Sequence, residues 1–227
     1  MYFVTAPRWM RWLNPGLTWE IPVEEDEKIL YLTFDDGPHP IASPFVLDEL
    51  KKYDAKATFF CIGRNVADHN DIYQRIFEEG HAVGNHTYNH LNGWKVKDSE
   101  YIHDVMKAKE VIDSSLFRPP YGRITKFQSA VLRNKSSVNG HQQSINNTTT
   151  EKQRQPFSII MWNVLTGDWD NKIDGKKVYE NVILNAKSGS IVVFHDSAKA
   201  LERLQFALPK VLEYYSKQDY QFKAISI

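Results

Sequence analysis

The chain has 227 residues, and its 28 basic side chains are balanced by 28 acidic ones, so its formal net charge is zero. This balance gives no electrostatic reason to expect a nucleic acid or an anionic surface as the partner. The length suits one large α/β or barrel domain and does not require two. The single cysteine, Cys61, excludes an internal disulfide and leaves the redox compartment open.

Residues 1–27 form an arm ahead of the regular pattern. The arm is rich in tryptophan, but prolines and arginines interrupt it, so it lacks the continuous apolar segment of a signal peptide. We expect it to pack across the base of the domain, with an interfacial anchor as the alternative. No run of the chain has transmembrane length. A cytoplasmic location is the default expectation, a missing leader stays open, and the oligomeric state is unknown.

From residue 28 to residue 227, apolar runs of strand length alternate with helical patterns. We expect this range to form one domain. The seven predicted strands span residues 29–34, 57–62, 81–85, 117–120, 158–164, 190–194 and 222–227. The six predicted helices span residues 44–53, with Ser43 as the N-cap, 71–79, 99–114, 125–133, 176–187 and 201–217. This alternation predicts parallel strands with right-handed crossovers, and hence an α/β sheet or a closed barrel.

Residues 134–156 interrupt this alternation. They are rich in asparagine, glutamine, serine and threonine and contain almost no apolar side chains. Such a composition cannot bury enough apolar surface to form part of a core. We therefore expect a long polar insertion on the surface.

The first predicted strand ends in two adjacent carboxylates, Asp35 and Asp36, and the third is followed by two histidines four residues apart, His86 and His90. On a helical turn this spacing would place both imidazoles on one face, where they could chelate a metal ion. Two exposed loop histidines are the alternative. A carboxylate such as Asp36 would complete a set of two histidines and one carboxylate, which leaves coordination positions open for catalysis.

More polar and aromatic side chains follow the next three predicted strands: Arg118 and Tyr121, then Asp168 and Trp169, then His195. Each of them alone is unspecific, and a structural role is the commoner explanation. Together they gather at the carboxyl ends of the strands, which is where α/β barrels place their active sites. The joint pattern favours an enzyme.

Five motifs in order closely resemble those of the polysaccharide deacetylase family, the NodB homology domain of carbohydrate esterase family 4. They are TFDDGP at 33–38, HTYNH at 86–90, RPPYG at 118–122, DW at 168–169 and VFH at 193–195. The resemblance extends from about residue 28 to the carboxyl terminus. It implies a distorted (β/α) barrel, often of seven strands, in agreement with the number of predicted strands.

The resemblance also implies roles for the motif residues in hydrolysis. Asp35 would be the general base and His195 the general acid. The ligands of a divalent metal, usually Zn²⁺, would be Asp36, His86 and His90. Such a metal activates water for attack on an acetamide carbonyl.

Supporting roles follow for the remaining motif residues. Arg118 would pair with Asp35, and Asp168 would orient His195. The amide of Tyr121 would bind the oxyanion, and Trp169 would line the acetyl pocket. Thr87 keeps a hydroxyl where serine is common in the family, and we expect it to contact the substrate.

The leading hypothesis is a hydrolase that removes N-acetyl groups from a glycan containing N-acetylglucosamine. This glycan would be a chitin-like oligomer, peptidoglycan or the precursor of a surface polysaccharide. One alternative is an O-acetyl esterase acting on a polysaccharide such as xylan. The other is a non-catalytic carbohydrate-binding relic, which is disfavoured because every catalytic position is filled.

Overall fold

The computed structural model describes residues 2–134 and 155–226. Strands in these ranges pair in parallel throughout, and they are β1 (Ile29–Asp35), β2 (Thr58–Cys61), β3 (Ala82–Asn85), β4 (Leu116–Phe117), β5 (Ser158–Ile159), β6 (Val164–Leu165), β7 (Ile191–His195) and β8 (Gln221–Phe222). Seven of them form a curled sheet in the order β5-β4-β3-β2-β1-β7-β6, and β8 pairs with the beginning of β1. The predicted α/β fold with seven parallel strands is confirmed.

Helices surround this sheet. In the described ranges they are α1 (Arg8–Leu13), α2 (Ala42–Lys51), α3 (Gly63–Asp68), α4 (Asn70–Glu78), α5 (Asp98–Lys109), α6 (Lys126–Arg133), α7 (Gly175–Ile183) and α8 (Leu201–Ser216), together with a 3-10 turn at Pro120–Gly122. None of them is long and apolar enough to cross a membrane.

The central strand β1 is buried at every position, which explains its nearly continuous apolar sequence. The Phe34 ring stacks on Phe59 of β2 and Phe194 of β7, with ring centroids 5.1 and 5.9 Å apart. Since neighbouring side chains on a strand point to opposite faces, Thr33 and Asp35 lie on the other face of the sheet. The aromatic packing between sheet and helices therefore sets the direction of Asp35.

The predicted strand at residues 158–164 is two strands at opposite ends of the sheet. β5 pairs with β4, whereas β6 pairs with β7. The segment between them crosses the open side of the curled sheet, where the carbonyl oxygens of Ile160 and Met161 accept hydrogen bonds from Arg118. A buried side chain thus supplies part of the hydrogen bonding of this segment, alongside the backbone bonds that the N–H groups of Ile160 and Met161 donate.

The N-terminal arm lies along this open side. Thr5 forms an antiparallel bridge with Val164, and Thr18 forms a parallel bridge with Ile160. The arm therefore contacts both ends of the curled sheet, and at the base of the sheet its Glu20 forms an antiparallel bridge with Ser190, just before β7. The division of the chain at residue 27 stays a prediction.

Several element predictions differ from the structure. Helix α2 begins at Ala42, so Ser43 lies inside it and is not its N-cap. The last strand stops at Phe222. Helices α1 and α3 were not predicted, because α1 buries no side chain and the only buried residues of α3 are Gly63 and Val66. Most of the predicted insertion, residues 135–154, lies outside the described residues.

Candidate active site

A cavity of about 370 Å³ opens at the carboxyl end of the sheet. Asp35 and His195, the last residues of β1 and β7, are register partners and both line it. Of the ten predicted site residues, seven contribute to the cavity wall, and the other three, Arg118, Asp168 and Thr87, are completely buried. The prediction that the strand-end motifs converge in space therefore agrees with the geometry.

Asp36, His86 and His90 form a compact group that could hold a divalent metal ion, because one donor atom from each lies within 4.8 Å of the others. Oδ1 of Asp36 is 3.1 Å from Nε2 of His90 and 3.7 Å from Nε2 of His86. Two imidazole nitrogens and one carboxylate oxygen suit a metal site with open coordination positions.

His86 is held in the protonation state that a ligand needs. Its Nδ1 lies 2.7 Å from the carbonyl oxygen of Arg118, which can only accept, so Nδ1 carries the proton. Burial lowers the pKa of His86 to about 4, which keeps the ring neutral at neutral pH. The lone pair of Nε2 therefore faces Asp36 and His90.

Asp36 is the acidic member of this group. Its Oδ1 atom is buried and makes no well-formed hydrogen bond within the described residues. Burial opposes ionisation of Asp36, but the contact with His90 and the charges of the nearby histidines outweigh it and hold its pKa below the usual range. An ionised, buried oxygen without a hydrogen-bond donor is the environment that a bound cation would satisfy.

The loops that carry the site are strained. Left-handed backbone, which residues other than glycine rarely adopt, occurs at Asp36 (φ 80°), Thr87 (φ 63°), His90 (φ 58°) and Tyr121 (φ 59°). Strain of this kind costs on the order of 1 to 3 kcal/mol per residue and gathers at functional sites. The surrounding fold therefore stabilises a strained backbone in these loops, and this backbone positions the side chains of the site.

The segment from His86 to His90 does not form a helical turn, because Thr87 and His90 adopt left-handed backbone. The imidazoles converge through this loop and not through helical spacing. The Thr87 hydroxyl accepts a hydrogen bond from the N–H of Leu91 at 3.2 Å. Thr87 is thus buried within the loop and does not line the cavity, contrary to the expectation that it contacts the substrate.

Arg118 reaches Asp35 from within the curled sheet. Its Nη1 donates to Oδ1 of Asp35 and to the hydroxyl of Thr33, both at 2.7 Å. The guanidinium lies 4.0 Å from the ring of Phe60. Burial lowers the pKa of Arg118, while the charge of Asp35 opposes this shift. The pair leaves the second oxygen of Asp35 free of this contact.

His195 is paired with Asp168 on the other side of the cavity. Nδ1 of His195 lies 2.8 Å from Oδ1 of Asp168, and its backbone N–H donates to Oδ2 at 2.7 Å. Burial lowers the pKa of His195, but the charge and hydrogen bond of Asp168 outweigh it and raise this pKa to about 9. The imidazole can therefore carry a proton at neutral pH, with Nε2 available to donate it.

Two aromatic residues complete the predicted set. The ring of Trp169 lies 4.8 Å from the ring of His195, and the exposed ring of Tyr121 lies 4.6 Å from that of His90. The turn around Tyr121 is closed by hydrogen bonds that Gly122 and Arg123 donate. Neither bond uses the N–H of Tyr121, which leaves this amide for another acceptor.

The cavity also contains residues that the sequence analysis did not select. They come from the arm, from both ends of the open side and from the loop after β7, and include Tyr2, Trp162, Leu165, Ser197 and Lys199. Tyr2 gave no sequence signal, because it stands alone in an irregular segment far from any motif. Leu165 was not selected, because β5 and β6 were predicted as a single strand over residues 158–164.

Comparison with known proteins agrees with this geometry. The sequence profile of the family described as Polysaccharide deacetylase matches residues 23–153, more than half of the chain. A peptidoglycan-N-acetylglucosamine deacetylase of Bacillus cereus is 35% identical over 215 residues, which cover 92% of this chain and 91% of that protein. PgdA of Listeria monocytogenes, another peptidoglycan-N-acetylglucosamine deacetylase, is 32% identical over 91% of this chain, which spans only 40% of PgdA.

The fold is shared with solved structures as well. The Bc1960 peptidoglycan N-acetylglucosamine deacetylase superposes with a TM-score of 0.78 at 29% identity, covering 97% of this chain and 95% of the other. The unmatched 3% of the chain is shorter than the arm of residues 1–27, so the match includes most of the arm. From the profile match and the identity over most of its length, the chain belongs to the polysaccharide deacetylase family.

Proposed function

We propose that the protein is a metal-dependent deacetylase that removes the N-acetyl group from N-acetylglucosamine residues of peptidoglycan. One observation carries this proposal: a candidate metal group of Asp36, His86 and His90 shares a cavity with the carboxyl group of Asp35 and the imidazole of His195. The relatives that are named for peptidoglycan N-acetylglucosamine support this choice of substrate.

Asp36, His86 and His90 would hold the metal, and we propose Zn²⁺ because two histidines and one carboxylate form a common catalytic zinc set. The unpartnered oxygen of Asp36 and the neutral imidazole of His86 support this fit. A divalent metal bound there supplies Lewis-acid activation of water and of the amide carbonyl.

Asp35 would act as the general base. Its carboxylate lines the cavity, and it takes the proton of the attacking water as the new carbon–oxygen bond forms. Arg118 fixes the direction of this carboxylate through the hydrogen bond to Oδ1. The N–H of Tyr121 would then donate to the developing oxyanion, a contribution worth on the order of 3 kcal/mol for a well-placed donor.

His195 would act as the general acid. The amine is a poor leaving group until its nitrogen is protonated, so the carbon–nitrogen bond breaks as Nε2 of His195 delivers a proton to it. Asp168 keeps the donor in its charged form and fixes the ring through Nδ1. The products are acetate and the free amine of the sugar.

The test is acetate release by zinc-loaded protein from peptidoglycan fragments, N-acetylglucosamine oligomers and acetylated xylan. Asp35→Asn serves as the blank, because it keeps the size of the side chain and removes the base. We expect release from peptidoglycan fragments that is lost in the blank. Release from xylan alone would indicate an O-acetyl esterase. The absence of acetate release from every substrate would contradict a deacetylase.

A further inference from the structure

The arm carries an aromatic side chain into the cavity. The carbonyl oxygen of Val4 accepts a hydrogen bond from the N–H of Leu165 at 2.8 Å, and Thr5 is bridged to Val164. These contacts attach the arm to β6 in the antiparallel direction, so the chain before Val4 continues toward the carboxyl end of the sheet. Tyr2 therefore reaches the cavity and forms part of its wall.

Tyr2 is fitted into this position by its neighbours. Its ring centroid lies 5.1 Å from that of Trp169, whose ring lies in turn 4.8 Å from that of His195. A Cβ atom at Gly167, which has a φ of 79°, would come within 2.4 Å of the Tyr2 hydroxyl oxygen. The absence of a side chain at Gly167 thus leaves the space that Tyr2 fills.

Two apolar side chains from β6 and β7 also form part of the cavity wall. Val193 precedes His195 by two residues and therefore lies on the same face of β7. Leu165 is the register partner of Val193 on β6 and also lines the cavity. The methyl group of an acetyl substrate is apolar, so its contact with these side chains would remove it from water and favour binding.

We propose that Tyr2 determines acyl specificity by closing this apolar wall so that the site accepts an acetyl group and rejects longer acyl chains. The inference rests on the proposed deacetylase function and extends it to a residue outside the motifs. The ring of Tyr2 lies beside that of Trp169 in the cavity wall, so an acyl chain that extended along this wall would meet it. One methylene in an apolar pocket changes kcat/KM by about tenfold to two-hundredfold.

The experiment compares kcat/KM for the N-acetyl and N-propionyl forms of the same glucosamine oligomer. The wild type should prefer the acetyl form by at least about tenfold, and Tyr2→Ala should reduce this preference by about tenfold. Tyr2→Phe keeps the ring and should keep the preference. Phe3→Ala is the matched control, because Phe3 is the next residue of the arm but 59% exposed and outside the cavity wall.

An equal loss on both substrates in Tyr2→Ala, or an unchanged ratio, would overturn the proposal. Thermal unfolding checks that the variant is folded, and Tyr2→Leu, which keeps more apolar contact, takes its place if it is not. Binding of acetate and propionate, followed by tryptophan fluorescence, gives a readout without turnover. If the wild type hydrolyses neither substrate, the proposed function fails. The role of Tyr2 would still be supported if the wild type binds acetate more tightly than propionate and Tyr2→Ala does not.

Discussion

Arg118 donates a hydrogen bond from Nη1 to Oδ1 of Asp35 at 2.7 Å, and both side chains are buried. The guanidinium also donates to the backbone carbonyl oxygens of Ile160 and Met161, which lie in the segment that spans the open side of the sheet. One side chain therefore positions the proposed base and ties β1 to this segment. Catalysis and folding depend on the same group.

Replacing Arg118 by methionine should lower the free energy of unfolding by about 3 to 5 kcal/mol, because it leaves the carboxylate of Asp35 buried without its partner. Arg118→Lys should also be destabilising, since an ammonium group cannot donate in all of these directions. Urea denaturation measures both. Arg75→Met is the control, because Arg75 forms partly exposed ion pairs with Asp48 and Glu79, and each such pair is worth less than about 1 kcal/mol. Equal effects at the two arginines would contradict this account.

Asp168→Asn should shift the pH dependence of kcat to lower pH. The pKa of His195 is raised to about 9 chiefly by Asp168, while burial acts in the opposite direction. Without the carboxylate, burial is opposed only by the charges of Asp36 and Asp35, so this pKa should fall and less of the acid should be protonated at neutral pH. A bound metal cation adds positive charge, so the basic limb of the wild type should lie at or below pH 9.

The same residue pair makes a stability prediction. A histidine whose pKa is raised on folding stabilises the protein fully below its unfolded pKa, near 6.5, and this contribution is lost as the pH rises to about 9. Urea denaturation of the metal-free protein between pH 6 and pH 9 should show a larger loss of stability in the wild type than in Asp168→Asn. A kcat profile and a stability profile that both stay unchanged in the variant would exclude the pairing as the cause.

Asp36→Asn should abolish metal binding with little effect on the fold. Asparagine tolerates the left-handed backbone at this position and has nearly the same size, but it carries no charge. Zinc at a concentration of 100 times its Kd should stabilise the wild type by about 2.7 kcal/mol and leave the variant unchanged. Chelation should likewise abolish acetate release while the circular dichroism spectrum is retained.

The control for the metal experiment is Asp48→Asn, which changes an exposed carboxylate outside the cavity. Its zinc-dependent shift in Tm should equal that of the wild type. If Asp36→Asn bound zinc with unaltered affinity in calorimetry, Asp36 would not be a ligand. Only His86 and His90 would then remain as candidate ligands.

Asp196→Asn should flatten the dependence of stability on pH. The carboxylate oxygens of Asp196 accept hydrogen bonds from the N–H of Gly37 and the hydroxyl of Ser43. Burial raises its pKa to about 8, so folding takes up a proton, and stability falls as the pH rises from about 4 through 8. Asparagine mimics the neutral acid and removes this dependence.

Urea denaturation at pH 5 and pH 8 measures the effect. The loss of stability between these two pH values should be smaller in Asp196→Asn than in the wild type by at least about 1 kcal/mol, since one unit of pKa shift corresponds to about 1.4 kcal/mol. Gly37→Ala is the contrasting variant, because its Cβ would lie 2.0 Å from Oδ2 of Asp196. It should destabilise the loop at both pH values, whereas equal slopes in the wild type and Asp196→Asn would contradict the buried neutral acid.

The sequence predicted the fold class and the positions of the strand-end motifs because both depend on local patterns. Apolar runs of strand length alternate with helical periodicity, and polar side chains stand where each run stops. Parallel strands bring their carboxyl ends to one edge. This rule sufficed to place Asp35, His86, Arg118 and His195 together before any contact was known.

Contacts between distant parts of the chain were not available from these local patterns. The residues from 158 to 164 have the composition of one strand, yet their pairing with β4 and β7 divides them. The loop from His86 to His90 has helical spacing but left-handed backbone at two positions, and the N–H groups of Tyr88 and Asn89 within it donate to the carboxylate of Asp104. Tertiary hydrogen bonding overrode the local preference in both cases.

The sequence by itself therefore determined the chemical groups, their order along the chain and the edge of the sheet where they meet. Only the tertiary structure decided that Arg118 fills the open side of the sheet, that Thr87 turns away from the cavity and that Tyr2 enters it. The physical reason is that periodicity records which side chains are buried, whereas the partner of a buried or bridging group is chosen by the packing of the whole chain.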